Sequence, residues 1–226
     1  TVEKWIHRTS KQAKSGDKEM QAELAVLERV RDALNEGKPA RMTGLEPEEE
    51  KKIADLCLIT LKPVLYVANV SEDDLEGEHP FVQKVREHAA AEGAEMVLIC
   101  GKIESEIAEL DAEEKLEFLQ EMGLEESGLD RMIHAGYKLL GLITYFTAGV
   151  KEVRAWTIPD GALAPQAAGV IHTDFEKGFI RAEVTAYDDF VNSGGEAGAK
   201  EKGLLRLEGK EYRVVDGDVM HFRFNV

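Results

Sequence analysis

Two short polar segments in this chain of 226 residues each follow an apolar run directly. Asn69-Val70-Ser71-Glu72 follows the first run, and Cys100-Gly101-Lys102 follows the second. The first run, residues 63–68, is mostly apolar without alternation, which favours a strand buried on both faces of a parallel α/β sheet. Ligands of open α/β sheets bind at the carboxyl ends of the strands. We therefore predict that both segments lie on one edge of a sheet and form a ligand-binding site.

Other groups of reactive residue types have simpler explanations. Cys100 has no histidine close to it in the sequence, which favours a small packing residue at the end of a strand over a nucleophile or a redox sensor. His172, Asp174 and Glu176 have a spacing that fits a solvent-facing loop, or a contact surface for a partner, better than a set of metal ligands. We find no Ser-His-Asp set, no zinc spacing and no convincing pair of catalytic carboxylates. The sequence therefore predicts neither a catalytic residue nor a metal ligand.

The elements that must position the two polar segments begin with helices. Apolar residues at heptad spacing predict an antiparallel helical hairpin over residues 1–40, in which Gly16 ends the first helix and Asp17 caps the second. This hairpin is either a plain structural arm or a projection that binds a partner. Residues 41–140 are predicted to contain the two strands, helices at 81–91, 103–123 and 127–140, and a segment at 53–58 that faces the sheet.

The pattern changes at residue 141. Residues 141–226 are predicted to form strands at 142–147, 152–158, 179–187, 204–207, 212–215 and 219–224, with one short helix at 165–171. The last two strands are expected to pair around Asp216-Gly217-Asp218. Several short strands with one helix indicate a small α+β roll.

The composition excludes some classes of protein. Hydrophobic residues make up 43% and charged residues 32% of the chain, which is typical of a globular protein, and no apolar run approaches the length of a membrane span. Only two cysteines occur, which favours the reducing cytosol, so we expect a cytoplasmic protein without membrane contact. The net charge is −16, of which residues 141–226 carry −3 and residues 1–140 carry −13. Contact with nucleic acid would therefore need a local basic patch.

The two polar segments resemble the base-recognition loops of P-loop GTPases, which usually contain Asn-Lys-x-Asp and Ser-Ala-Lys. Asn69-Val70-Ser71-Glu72 is the variant that marks the Obg-like YchF ATPases, and residues 172–184 and 216–224 are also similar to that family. The resemblance implies an α/β fold that consists of two parts. The first is the C-terminal part of a P-loop NTPase G domain of the OBG type, which contains an α-helical hairpin insertion. The second is an α+β β-grasp (TGS) domain. The implied divisions are residues 1–40, 41–140 and 141–226.

The resemblance also implies a function. Members of the family bind and hydrolyse ATP in preference to GTP, with Mg²⁺, and bind the ribosome, here expected through its large subunit. No Gly-x-x-x-x-Gly-Lys-Ser/Thr phosphate loop occurs in this chain, so we expect that loop and the magnesium ligands outside it, and we expect this piece alone to be inactive. Two alternatives stay open. One is a nucleotide-independent module that binds the ribosome or a protein through the helical arm and TGS domain, and the other is a conventional GTPase with altered specificity.

Hydrogen-bond direction explains why the variant favours adenine. Guanine presents N1–H and an amino group as two donors, which a short Asp carboxylate accepts together, whereas adenine presents an unprotonated N1 and one amino donor. The longer Glu72 replaces that Asp, and Asn69 with backbone groups at Val70 is expected to supply an acceptor and a donor for adenine. Lys102 is expected to cover the base or the ribose with its stem, and Gly101 to let the backbone approach the base. The predicted nucleotide-binding residues are Asn69, Val70, Glu72, Cys100, Gly101 and Lys102.

Overall fold

The computed structural model describes residues 1–225, so the last residue of the predicted third division, Val226, lies outside the described residues. The chain forms two compact units, Thr1–Glu106 and a second that begins at Ile107. This grouping places residues 107–140 with the C-terminal sheet, whereas the sequence suggests a boundary at residue 141; the three-part division stays a prediction. None of the helices described here is long and apolar enough to cross a membrane.

The first unit contains two parallel strands and five α-helices within its described residues. In chain order they are α1 (Val2–Ala13), α2 (Lys18–Asn35), α3 (Pro47–Ile53), β1 (Leu65–Asn69), α4 (Pro80–Ala91), β2 (Glu95–Ile99) and α5 (Gly101–Ile107). Short 3-10 turns occur at Ala40–Thr43, Ala54–Leu56, Ile59–Leu61 and Glu72–Asp74.

The helical hairpin forms where the sequence predicts it. Gly16 has a φ of 86°, a left-handed conformation that glycine adopts without steric cost, and it reverses the chain after α1. The Asp17 carboxylate then accepts hydrogen bonds from the backbone N–H groups of Glu19 and Met20, at 2.9 and 3.3 Å. These bonds satisfy donors that the first turn of α2 would otherwise leave unpaired.

The apolar side of the hairpin forms the core of the first unit. Leu27 and Val30 of α2 are fully buried, and they pack in one cluster with Ile53 and Leu56. The prediction that residues 53–58 face the sheet is therefore wrong. The chain turns at Cys57, which has a φ of 46° and is exposed, and this turn leaves the apolar residues before it against the hairpin.

Strands β1 and β2 pair in parallel, with Leu65 opposite Glu95 and Asn69 opposite Ile99. The predicted strands and their common direction are thus confirmed. The predicted burial of β1 on both faces is not observed in the described chain, because Val67 is 44% exposed. A two-stranded sheet leaves the outer edge of each strand without a partner strand, and α4 packs against both strands.

The second unit consists of helices followed by a mixed sheet. Its elements are α6 (Ala112–Glu121), α7 (Gly128–Leu139), β3 (Leu142–Ala148), β4 (Val153–Pro159), α8 (Ala164–Ile171), α9 (Thr173–Lys177), β5 (Phe179–Ala186), α10 (Tyr187–Asn192), α11 (Glu196–Glu201), β6 (Arg206–Glu208) and β7 (Asp218–Phe224). The predicted single helix at 103–123 is divided into α5 and α6, because Asp111 caps a new helix with its side chain.

The sheet has the strand order β4-β3-β7-β5-β6, in which β7 is parallel to β3 and all other neighbours are antiparallel. The predicted strand at 212–215 does not pair with β7. Asp218, which is 3% exposed, accepts hydrogen bonds from Tyr212 Oη at 2.7 Å and from the Val215 N–H at 3.0 Å. These bonds shape residues 212–217 into a turn beside α8 instead of a hairpin arm.

One apolar cluster holds the second unit together. Tyr145 of β3 is fully buried, packs edge-on against Phe222 of β7 and donates its hydroxyl hydrogen to the Ala167 carbonyl of α8 at 2.9 Å. The helix thus packs on one face of the sheet. This arrangement agrees with the predicted α+β roll, although α9, α10 and α11 were not predicted.

Removing the Leu27 side chain tests the core of the hairpin. Because Leu27 is fully buried, Leu27→Ala should lower the free energy of unfolding of the first unit by about 2–5 kcal/mol. Ile59→Ala is the matched control in the same unit, since Ile59 is 78% exposed and its truncation should change stability by less than about 0.5 kcal/mol. Urea unfolding followed by circular dichroism measures both, and equal losses would show that the hairpin core is not well packed.

Candidate nucleotide-base site

The two polar segments meet at the carboxyl ends of β1 and β2. Asn69 and Ile99 are opposite each other in the parallel register, and the Val70 N–H donates a hydrogen bond to the Ile99 carbonyl at 2.8 Å. The prediction that both segments lie on one edge of the sheet is confirmed. The Val70 N–H is thereby occupied, so it is not available as a donor to a base.

The Asn69 side chain joins the two segments. Its Oδ1 accepts a hydrogen bond from the Gly101 N–H at 3.0 Å. The amide nitrogen, Nδ2, has no partner among residues 1–225 and keeps two hydrogens to donate. Asn69 can therefore offer a base two N–H donors, whereas its oxygen is already engaged by Gly101, which narrows the role expected from the sequence.

Glu72 and Lys102 form an ion pair across the same edge. Lys102 Nζ lies 2.8 Å from one carboxylate oxygen of Glu72 and 2.9 Å from the other. The hydrogen bond to Glu72, together with the attraction between the two charges, raises the pKa of Lys102. Both side chains are partly exposed, so the pair adds little to stability, and its main effect is to fix the position of the carboxylate. The sequence placed both residues at the site but did not reveal their pairing.

Cys100 and Gly101 form the start of α5. Cys100 is 5% exposed and its carbonyl accepts the Glu104 N–H, so its side chain has the packing role expected from the sequence. Any contact between Cys100 and a ligand would have to be made by the backbone. A Cβ atom added at Gly101 would lie 3.5 Å from Asn69 Oδ1, an ordinary contact. The described chain therefore tolerates a side chain there, and only a ligand would exclude one.

A partly buried network beside β1 was not predicted. Glu92, at the end of α4, has a side chain only 8% exposed and accepts hydrogen bonds from Tyr66 Oη at 2.8 Å and from the Arg41 guanidinium. The hydrogen bond from Arg41, followed by that from Tyr66, lowers the pKa of Glu92. The three residues are far apart in sequence and have no motif, so only the fold brings them together.

Among the described residues, one group of side chains, Glu183, Glu196 and His221, has possible ligand atoms within 4.8 Å of one another. Arg223 donates two hydrogen bonds to the Glu183 carboxylate, each of 3.2 Å, and neutralises it. His172 accepts the Asp174 N–H with Nδ1 and caps α9, so the polar run at 172–176 forms the end of a helix and not a loop.

Comparison with known proteins finds proteins named YchF. The family YchF-GTPase_C, described as a protein of unknown function (DUF933), matches residues 142–225. The "Ribosome-binding ATPase YchF" of Haemophilus influenzae is 61% identical over all 226 residues, and that of Bacillus subtilis is 57% identical over 228 aligned residues. The chain spans 62% of the length of each of these curated relatives.

Solved structures are similar as well. The Schizosaccharomyces pombe YchF GTPase superimposes with a TM-score of 0.84 at 35% identity, over 98% of this chain and 61% of that chain. A GTP binding protein from Pyrococcus horikoshii shares the fold, with a TM-score of 0.53 at 15% identity over 88% of this chain and 57% of that chain.

Replacing Glu92 tests the network that supports β1. Glu92→Gln removes the charge that Arg41 contacts, so it should lower the midpoint of thermal unfolding at neutral pH. Because folding lowers the pKa of Glu92, its stabilisation is complete above its usual value near 4.5 and is lost as the pH falls through the lowered value. The difference between the variant and the native chain should therefore shrink below about pH 4.5.

The exposed Glu87 of α4 provides the control, Glu87→Gln, which should leave the unfolding midpoint nearly unchanged at every pH. Scanning calorimetry between pH 3 and pH 7 measures both variants. A Glu92→Gln effect that is the same at all pH values would contradict the assigned ion pair.

Proposed function

The chain belongs to the YchF family over its whole length, and we propose that the complete protein is a ribosome-associated ATPase that binds ATP in preference to GTP. The name that its relatives carry, ribosome-binding ATPase, supports the coarse activity and the ribosome as partner. We further propose a cytoplasmic protein that contacts the large ribosomal subunit. The preference for ATP has its own support in the geometry of the site.

The observation that carries this preference is the Glu72–Lys102 ion pair. A guanine-specific site needs a free carboxylate that accepts both the N1–H and the amino group of the base. Here both oxygens of Glu72 lie within 2.9 Å of Lys102 Nζ, so another donor already takes up part of their capacity to accept hydrogen bonds. Adenine has no hydrogen on N1 and therefore does not need this carboxylate as an acceptor. The pair therefore penalises guanine more than adenine.

Asn69 has a different role in this proposal. Its free Nδ2 donates to N7, an acceptor that adenine and guanine share. Asn69 thus binds a purine of either kind, and Glu72 with Lys102 selects between them. Val70 adds an apolar side chain beside the base, as in the expectation from the sequence. Gly101 leaves space for the base to approach the backbone.

In this proposal, phosphate binding and hydrolysis belong to parts of the complete protein outside these 226 residues. When bound, Mg²⁺ would neutralise charge on the phosphates. No phosphate-loop motif occurs among these 226 residues, and the residues at the base site do not form a suitable set of magnesium ligands. What this chain supplies is purine recognition, the helical hairpin and the C-terminal TGS module. On its own it should bind both nucleotides weakly and hydrolyse neither.

Calorimetric titration of the complete protein with ATP and with GTP tests the preference. We expect tighter binding of ATP, because the carboxylate that would bind guanine is occupied by Lys102. Glu72→Asp shortens the side chain and should shift the preference partly toward GTP, since Val70 still lacks the lysine stem of guanine-specific loops. Asp73→Glu, at the exposed neighbouring position, is the control and should leave the preference unchanged. Tighter binding of GTP by the native protein would disprove the proposal.

Asn69→Asp tests the proposed contact with the base while keeping the hydrogen bond that this side chain accepts from Gly101. A carboxylate at this position still accepts the Gly101 N–H but cannot donate to N7. The variant should fold normally and bind ATP about tenfold or more weakly, the equivalent of one lost hydrogen bond and a repulsion. Asn35→Asp, at the exposed end of α2, is the matched control. Unchanged ATP affinity in Asn69→Asp would exclude the donor role.

A further inference from the structure

Three side chains of the second unit meet on the face of its sheet that α8 does not cover. Glu183 of β5 and His221 of β7 are directly opposite each other in the antiparallel register. Glu196 lies in α11. Each of the three offers one possible ligand atom, a carboxylate oxygen or an imidazole nitrogen, and these atoms all lie within 4.8 Å of one another. We call these three residues the Glu-Glu-His cluster.

The alternation of side chains along the strands places the cluster on this face. Val184 of β5 and Met220 of β7 belong to the apolar cluster that includes residues of α8. Successive side chains of a strand point to opposite faces of a sheet, so the neighbouring Glu183 and His221 belong to the other face. The register of β5 with β7 therefore puts two possible ligands side by side, and α11 adds the third.

The Glu-Glu-His cluster lines a small cavity, together with residues that include Thr185 and Phe190. The space in it that a particle of the size of a water molecule can occupy is about 10 Å³. This is enough for one water molecule or one ion and too little for an organic ligand. The size of the cavity thus restricts its occupant to a single small particle.

Thr185 adds a buried polar group to the wall of this cavity. The residue is 3% exposed and lies on the same face of β5 as Glu183, two positions away. Its hydroxyl group has no hydrogen-bond partner among residues 1–225. Buried hydroxyl groups in folded proteins nearly always have a partner, because an unpaired one lowers stability. The Thr185 hydroxyl therefore points to an occupant of the cavity.

The charges around the cavity favour a cation as that occupant. Glu183 and Glu196 bring two negative charges, and Arg223 offsets one of them through its two hydrogen bonds to Glu183. An imidazole that binds a metal is neutral, so one negative charge remains. The bonds from Arg223 use two of the roughly four lone-pair sites of the Glu183 carboxylate, which leaves this carboxylate able to bind an ion as well. Hydrogen bonds of this kind orient a ligand carboxylate.

We propose that the Glu-Glu-His cluster binds one Zn²⁺ ion. Imidazole nitrogen and carboxylate oxygen are both zinc ligands, with bonds of about 2.0–2.2 Å. In a tetrahedral arrangement such atoms are about 3.4 Å apart, so small rotations of the Glu196 and His221 side chains close the present separation of at most 4.8 Å. Three protein ligands leave the fourth position to a water molecule, which can donate a hydrogen bond to the Thr185 hydroxyl oxygen.

The ligand set favours zinc over Mg²⁺ and Ca²⁺. Mg²⁺ demands an octahedral arrangement of oxygen atoms and keeps several water molecules, and Ca²⁺ takes six to eight oxygen ligands. Imidazole nitrogen suits zinc better, and the cavity has room for one small particle only. This site is therefore different from the magnesium site of the proposed hydrolysis, whose ligands are expected outside these 226 residues. It does not depend on the proposed nucleotide preference.

A zinc ion at this position would join α11 to the sheet. The helix has six residues and follows Gly194 and Gly195, which both have a positive φ. A helix of this length gains little stability from its own hydrogen bonds. Because the three ligands come from α11, β5 and β7, the ion would bind only the folded unit, and its binding would stabilise that unit against unfolding.

The double variant Glu196→Gln/His221→Gln removes two of the three ligands in the 226-residue chain. Neither residue belongs to the buried core, so the fold should be kept. The control Glu201→Gln/His134→Gln replaces the same two residue types in the second unit and gives the same net charge. Glu201 is the last residue of α11, and the His134 side chain is 74% exposed. Circular dichroism confirms the fold of both variants before binding is measured.

Calorimetric titration with ZnCl₂ measures the binding. The native chain and the control should bind one Zn²⁺ ion with equal affinity. The double variant should bind it at least about 100-fold more weakly, since even the loss of a residue that only supports a ligand costs about 10–100-fold. Binding at groups outside the cluster, such as the exposed Cys57 thiol, is common to all three proteins and cancels in the comparison.

Thermal unfolding gives a second readout. Saturating ZnCl₂ should raise the unfolding midpoint of the native chain and of the control by about 5 °C or more, and should leave that of the double variant unchanged. The same concentration of MgCl₂ should change none of the three midpoints.

Nuclear magnetic resonance of chain labelled with ¹⁵N-histidine locates the ion. Of the six histidines, only His221 should show shifted ring signals when one equivalent of Zn²⁺ is added. The proposal would be overturned if the native chain did not bind zinc, if the double variant bound it as tightly as the control, or if only other histidines shifted. Equal stabilisation by Zn²⁺ and Mg²⁺ would overturn it too. None of these measurements involves ATP or ribosomes, so failure here leaves the proposed function standing, and the reverse holds as well.

Discussion

The hydrogen bond between Asn69 Oδ1 and the Gly101 N–H is the interaction on which the base site depends. It joins the ends of two parallel strands whose loops are 32 residues apart in sequence, and the bond from Val70 to Ile99 holds the same junction from the backbone. An amide side chain suits this position because it accepts with one atom and donates with the other. With its oxygen bonded to the protein, the amide keeps its N–H donors for another acceptor, and the proposed contact with a purine N7 would use one of them.

The role of a charged residue in this chain depends on where the residue lies in the fold. At the candidate base site Glu72 and Lys102 form an ion pair, so the two charges offset each other. Beside β1 the partly buried Glu92 carboxylate pairs with Arg41 and accepts a hydrogen bond from Tyr66 of β1, so this network supports the strand. The proposed purine selection therefore depends on a local arrangement of charges and not on the net charge of the chain, which is −16.

The sequence predicts those features of the fold that depend on residues close together in the chain. Gly16 and Asp17 determine the turn and cap of the hairpin, and the two apolar runs determine the parallel strands, so the common edge of the two polar segments was predicted correctly. Long-range contacts were not predicted. The Glu72–Lys102 pair joins residues 30 apart, and Asp218 bonds to Tyr212, which prevents the expected hairpin. Neither contact is marked by a periodic pattern in the sequence, because each joins residues that only the folded chain brings together.

The central claim is that Asn69 Nδ2 donates to N7 of a bound purine. Titrating the complete protein with ATP and with 7-deaza-ATP, in which carbon replaces N7, tests this contact without altering the protein. The same pair of ligands titrated into Asn69→Ala completes a double-mutant cycle. The account predicts that the native protein binds 7-deaza-ATP about tenfold more weakly than ATP, and that the variant binds both alike. Equal affinities in the native protein would contradict it.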